Sequence, residues 1–368
     1  MVPTITLALS FLFSLLISSS LADLEGWPEL DQIPPITDEF NKLVDFSKVA
    51  NAPLSTVDPD DDILNCDVEG NFCSWSCTNC VRQNDVERCP NKGDWGLTFD
   101  DGPSDYTNDL VDFLDSQGVK ATFFIVGSRV VERPDILQKI VKSGHQIGIH
   151  TWSHPMLTTL SNEQVVAELQ WTASVINATV GLVPKYMRPP YGDFDDRIRG
   201  ICSQLGYTIT IWDRNTNDWM IGDDNSKFNI RWVPGNFTDW VKEGSNTGHI
   251  SLEHDIYQDS AAQGPKVVPI LKKANFNIKP VADCLGDNKP YLNSNNIIAT
   301  VTGTATTTQT SGINNPSGVS NNPYKSTSQP ASTSTSMGSP TPISSSESIN
   351  YNIWLIIFGL LMSLTIFH

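Results

Sequence analysis

The chain has 368 residues and a formal net charge of −17, from 24 Lys and Arg against 41 Asp and Glu. That acidity argues against a nucleic-acid binder, which needs a basic face for phosphate; 39% hydrophobic residues and ten Trp argue against wholesale disorder. The length allows about two domains, or one α/β barrel with appendages.

From the N-terminus, residues 5–17 are apolar and Ser20-Leu21-Ala22 puts small residues where a signal peptidase cuts, so 1–22 reads as a secretory signal peptide. Residues 23–65 form an acidic arm with 11 Asp and Glu against Lys42 and Lys48, a net −9 of the −17. Residues 66–89 are a Cys-rich segment, and 90–285 are the globular domain. From there, 286–350 reads as a disordered, O-glycosylated stalk: 24 of the 52 residues in 299–350 are Ser or Thr, too polar to bury a core. The final apolar run, 353–367, is shorter than the roughly 20 residues of a spanning helix. It follows a polar spacer and the small residues Ser344-Ser345-Ser346. That is the pattern of a GPI-anchor signal over 351–368, with Ser344 as the candidate attachment residue. Asn177-Ala178-Thr179 and Asn236-Phe237-Thr238 are N-glycosylation acceptors, which fits a secreted chain.

The seven cysteines are Cys66, Cys73, Cys77, Cys80, Cys89, Cys202 and Cys284. In an oxidising compartment the default is disulfides; the zinc-like spacing of Cys77 and Cys80 is the weaker reading. Cys89 and Cys284 flank the domain and are placed to staple it. The four upstream cysteines would then form two local bridges whose pairing the sequence leaves open. Cys202 lies in a helix-like stretch and reads as a buried thiol.

Within the domain, short runs with strand character (94–99, 121–126, 146–149, 185–187, 208–212, 248–252) alternate with apolar-periodic stretches (105–117, 129–143, 161–180, 194–206, 237–243, 265–275). Residues 214–236 read as a long loop. The alternation implies a parallel sheet, and six or seven such units favour a barrel. In barrels, chemistry collects where strands end. Five polar clusters lie at such ends: Asp100-Asp101-Gly102-Pro103; His150-Thr151-Trp152-Ser153-His154; Arg188-Pro189-Pro190-Tyr191-Gly192-Asp193; Asp213 with Asn217-Asp218-Trp219; and Leu252-Glu253-His254. His150 and His154 can converge on a metal and Asp101 can complete three ligands, leaving a position for water. Metal-bound water has a pKa near 7. Asp100 is then the candidate base and His254 the candidate acid for a leaving group.

Those five motifs, in that order over residues 98–254 and beginning Thr98-Phe99-Asp100-Asp101, resemble the polysaccharide deacetylases, the NodB-homology enzymes of carbohydrate esterase family 4. With the signal peptide, Cys-rich lead-in, stalk and anchor signal, the chain is most similar to the fungal chitin deacetylases of that family. The resemblance implies a distorted (β/α) barrel of about seven strands. It implies a divalent metal, Zn2+ first and Co2+ second, on Asp101, His150 and His154. Asp100 is implied as the base, Arg188 as its positioning partner, and the Tyr191 backbone N–H as an oxyanion donor. Asp218 would orient His254, the general acid, and Trp219 and Leu252 would wall the pocket for the acetyl methyl. It also supports the Cys89–Cys284 bridge. One departure stands: where the fourth motif often begins with Asp, this chain has Asn215. The implied reaction is removal of N-acetyl groups from chitin or N-acetylglucosamine oligomers, giving chitosan and acetate, by a monomer that meets membrane only through its anchor at the cell surface. The alternatives are another acetylated polysaccharide (xylan or peptidoglycan), or a wall-anchored carbohydrate-binding protein whose Cys-rich segment, with Trp75, is the binding module.

Overall fold

The run Asp94–Asp100 forms β1, and every residue of it is buried, as suits a strand covered on both faces of a parallel sheet. The structure, a computed structural model, describes residues 26–58, 63–66, 70–222 and 227–293. The expected signal peptide, the stalk beyond residue 293 and the anchor signal with Ser344 lie outside the described residues. Among those described, no helix is long and apolar enough to cross a membrane.

Among the described residues, eight parallel strands form one sheet: β1, β2 (Thr122–Ile125), β3 (Gln146–Ile149), β4 (Tyr186–Met187), β5 (Thr208–Ile209), β6 (Arg214–Asn215), β7 (His249–His254) and β8 (Asn277–Lys279). Seven follow the order β5-β4-β3-β2-β1-β7-β6, and β8 pairs with β1. The α/β class and the count of about seven barrel strands match the expectation, with the barrel present as a half-barrel that ends at β5 and β6. β7 runs along one edge of β1. The other edge is shared, β8 pairing at residues 94–96 and β2 at residues 98–100.

Helices cover the sheet with their apolar stripes. Thr107–Ser116 buries Leu110, Val111 and Leu114, and the 19-residue Asn162–Val180, closed by a Ser161/Gln164 capping box, buries Val165, Val166, Leu169 and Ile176. Two helices differ from expectation. The stretch 129–143 is two helices, Gly127–Glu132 and Pro134–Lys142, because Pro134 cannot donate to the preceding turn and Arg133 leaves helical geometry. The stretch 237–243 belongs to Trp232–Trp240, which starts inside the expected loop and buries Val233 and Phe237, one turn apart.

The acidic arm is a strap, held by aromatics rather than charge. Trp27 stacks on Trp152 at 6.4 Å and meets Trp171 edge-on at 6.3 Å. Phe40 adds a second edge contact to Trp171 at 5.4 Å. The backbone oxygens of Glu29 and Pro35 accept from the indole N–H of Trp152 and Trp171, both at 3.0 Å.

The disulfides are Cys66–Cys77, Cys73–Cys80 and Cys89–Cys284. Cys202 is buried and unpaired, its thiol pushed up to about 12 by burial. The Cys-rich segment docks on the barrel. Arg199 donates to the backbone oxygens of Cys73 and Cys80, and Trp75 packs edge-on against Trp212 at 4.8 Å. The aromatic that a binding module would offer to sugar is thus turned toward the domain. Residues 286–293, expected to open the stalk, also pack on the sheet: Lys185 N donates to Pro290 O and Leu292 N to Val183 O. Asn177 is exposed near the end of its helix, and Asn236 is half-buried in Trp232–Trp240.

Candidate active site

The chemistry-bearing clusters leave the C-terminal ends of β1, β3, β4, β6 and β7, so the parallel sheet gathers them on one rim; Asp213, expected among them, instead precedes β6 and pairs with His249 at the start of β7, at the other end of the sheet. β1 delivers Asp100 and Asp101 side by side but in different directions. Asp100 continues the strand, whereas Asp101 turns into positive φ at 77°. The following Gly102 is held so close to Asp255 that a Cβ there would lie 2.5 Å from its carboxylate. Only glycine fits this turn.

Asp101 Oδ1 faces two imidazoles, 3.3 Å from His150 Nε2 and 3.1 Å from His154 Nε2. One ligand atom from each residue lies within 4.8 Å of the others. The residues fit a divalent ion on two further observations. Asp101 Oδ1 is buried yet accepts no hydrogen bond of good geometry. His150 Nδ1 sits 2.7 Å from the Arg188 carbonyl; since a carbonyl only accepts, that nitrogen carries the proton and Nε2 offers a lone pair to the site. Burial alone would raise the Asp101 carboxyl, but His154 and His150 hold it well below the usual carboxylate range. Burial also lowers His154, favouring the neutral ring a metal needs.

Arg188 is fully buried and spans the barrel interior from β4. Its guanidinium donates to Asp100 Oδ1 at 2.7 Å and Thr98 Oγ1 at 2.6 Å on β1, and to the carbonyls of Thr210 and Ile211 beside β5. Its other face lies 4.2 Å from the Phe124 ring. Asp100 Oδ1 is therefore committed to Arg188, and Oδ2 stays 3.7 Å from His150 Nε2.

Across the rim, His254 at the end of β7 donates from Nδ1 to Asp218 Oδ1 at 2.7 Å, and its backbone N–H donates to Oδ2 at 2.8 Å. Thr216 completes the clamp on Asp218 at 2.9 Å. Burial alone would lower the His254 imidazole; the Asp218 carboxylate outweighs it, helped by Asp101 and Asp100, and pushes it up to about 10. Leu252, two residues earlier on β7 and so on the same face, is buried. Trp219 follows Asp218 and is half-buried. Tyr191 adopts φ 59° and brings its ring 4.8 Å from His154.

A sequence model described as polysaccharide deacetylase matches residues 87–210. The chain is 40% identical over 307 residues to chitin deacetylase 1 of Cryptococcus neoformans var. grubii, covering 78% of this chain and 65% of that one. It is 34% identical over 301 residues to the chitin deacetylase of Amylomyces rouxii, covering 76% and 70%. The chain belongs to the polysaccharide deacetylase family. Among solved structures, the family's chitin deacetylase from Colletotrichum lindemuthianum superposes with a TM-score of 0.53 at 29% identity, over 57% of this chain and 96% of that one.

Around the family's motifs the structure adds Asp255 and Glu168, which no motif marks, and gives Trp75, expected as a sugar-binding aromatic, a packing role. Asp255 accepts from Thr107 Oγ1 and donates its N–H to the Asp100 carbonyl, bracing the β1 turn; burial pushes its carboxyl up to about 7. Glu168, from the helix Asn162–Val180, lies under the His150–His154 loop. Its signal was a lone charge on an otherwise apolar stripe of that helix. Trp75 lies against Gly192, a contact across 117 positions that no local pattern marks.

Proposed function

We propose that the chain is a metal-dependent chitin deacetylase, removing N-acetyl groups from chitin to leave chitosan and acetate. The observation that carries this is the convergence, on one rim, of a two-imidazole, one-carboxylate cluster with a carboxylate paired to Arg188 and an imidazole paired to Asp218. Asp101, His150 and His154 would hold the ion, Zn2+ in this reading with Co2+ as the second candidate. When bound, the ion would polarise the acetamide carbonyl and acidify water.

The remaining work falls to the chain's own groups. Asp100 takes the proton of the attacking water, and Arg188, bonded to its Oδ1, keeps that carboxylate aimed. The Tyr191 backbone N–H donates to the developing oxyanion, where losing one donor costs about 10²–10³ in rate. His254, held charged by Asp218, gives its proton to the departing amine. Leu252 and Trp219 receive the acetyl methyl. The test is acetate release from chitin oligomers. Wild type should release acetate and Asp100→Asn should fall at least a thousandfold while still binding metal. Release from acetylated xylan or peptidoglycan but not chitin would reassign the substrate, and an unimpaired Asp100→Asn would remove the mechanism.

The same reading gives the chain a signal peptide over 1–22, an arm over 23–65, a Cys-rich lead-in, the deacetylase domain, a Ser/Thr-rich stalk and a GPI signal over 351–368. Asn177 and Asn236 would carry glycans and Ser344 the anchor. The protein would act as a monomer on the outer cell surface. Release of surface activity by phosphatidylinositol-specific phospholipase tests the anchor.

A further inference from the structure

The two imidazoles of the candidate metal centre come from one loop, and that loop is strained. Thr151 and His154 both sit at positive φ, 64° and 62°. For residues with a Cβ each such position costs on the order of 1–2 kcal/mol and must be held by its surroundings. Inside the loop, Thr151 Oγ1 donates to the His150 carbonyl and accepts from His154 N–H. From outside, Gly127 N–H and Ser128 N–H donate to the Thr151 and Trp152 carbonyls, and Glu168 holds the loop's own N–H groups. Its Oε2 accepts from the backbone N–H of Trp152 at 2.7 Å and of Ser153 at 2.9 Å, and its Oε1 accepts from Ser153 Oγ at 2.6 Å.

Glu168 is fully buried on a stripe of the helix Asn162–Val180 that otherwise carries Val165, Leu169, Thr172 and Ile176. A charge on such a stripe is costly unless its partners are fixed. Here the carboxylate receives three donors, all from the two residues midway between His150 and His154. A 19-residue helix with a closed N-terminal cap is a stiff support.

We propose that Glu168 is a positioning residue for the metal centre: its carboxylate fixes the loop between His150 and His154, and so sets how tightly a divalent ion is bound. This rests on the reading of Asp101, His150 and His154 as metal ligands. Glu168 touches neither metal nor substrate. Outer partners of metal ligands typically contribute about 10–100-fold in affinity. Glu168→Gln keeps the size but removes the charge: its amide oxygen can meet only the two backbone N–H groups and its NH2 must donate to Ser153 Oγ, so three charge-assisted hydrogen bonds become neutral, weaker ones.

The experiment is competition titration of Zn2+ against a chromophoric chelator. It uses full-length wild type, Glu168→Gln, Ser153→Ala and His150→Ala, with circular dichroism of each metal-free protein. The expected result is a zinc Kd about 10–100-fold weaker in Glu168→Gln with native circular dichroism, and a smaller weakening, about 2–5-fold, in Ser153→Ala. If Glu168→Gln does not fold, Ser153→Ala decides alone, because it removes only one hydroxyl donor. A folded Glu168→Gln, or a Ser153→Ala in the unfolded case, with wild-type zinc Kd overturns the proposal while His150→Ala still loses zinc. If His150→Ala binds zinc as wild type does, the ligand reading itself has failed.

Discussion

Gly192→Ala is a small change at a point where the structure leaves no room. Gly192 has φ +64°, and a Cβ there would lie 2.1 Å from Cζ3 and 2.4 Å from Cε3 of Trp75. The indole cannot swing aside. Its ring is edge-on to Trp212, its backbone N–H donates to Phe194 O, and the adjacent Ser76 hydroxyl donates to Asp193. The left-handed backbone costs alanine about 1–2 kcal/mol. Overpacking against a held ring adds about 1–3 kcal/mol, and the stiffer unfolded chain returns about 0.4–1 kcal/mol. The expected loss is therefore about 2–4 kcal/mol, read by denaturant unfolding. Because Tyr191 adjoins the clash, the N–H proposed as oxyanion donor should shift, so kcat should fall about 10²-fold with KM little changed. In a Trp75→Ala background the clash is gone and only the backbone cost remains, so the double-mutant cycle should show about 1–3 kcal/mol of coupling. Costs that add to within about 0.5 kcal/mol would refute the argument that the Cys-rich segment buttresses this loop.

Asp218→Asn removes the charge that raises His254. The acid must be protonated to work, so activity falls as pH rises through its pKa. That limb should move from about 10 to about 6.5 or below, a roughly hundredfold loss at pH 8.5; an unmoved alkaline limb in the kcat/KM profile would separate Asp218 from the acid's titration. Replacing Cys89 and Cys284 together by Ser opens a bridge of sequence separation 195. It should cost about 3–5 kcal/mol in denaturant unfolding, and a loss under about 1 kcal/mol would mean that packing alone closes the domain.

The parts of this molecule that were legible beforehand share a physical basis. β1 and β3 are mostly apolar runs past their first residues, and then meet Asp100 and His150 where the strand ends, a transition a buried parallel strand cannot hide. β6 and β8 escaped notice because they have no such run. Arg214 and Asn215 are extended only because β7 offers them a ladder, and β8 carries a single apolar Ile278 between Asn277 and Lys279. The site divides the same way. Asp100, Asp101, His150, His154 and His254 announce themselves by type and spacing. Glu168 acts across 15 and 16 positions and Trp75 across more than a hundred, so their partners exist only once helix and loop have packed. The arm is marked in the sequence by its charge count, while Trp27 and Phe40 are what tie it down.

The segment 290–293 runs beside residues 181–185, at the point where the chain enters β4, whereas Arg188 and Tyr191 follow where it leaves. In a parallel sheet these are opposite ends of the strand, here about 10 Å apart because β4 is only two residues long. Cys89 lies on the entry side too, its carbonyl bonded to Gly248 N just ahead of β7. A force applied at residue 293 is therefore delivered to the entry side of the sheet, the side on which the Cys89–Cys284 bridge begins. The catalytic rim is left pointing away from the line of force.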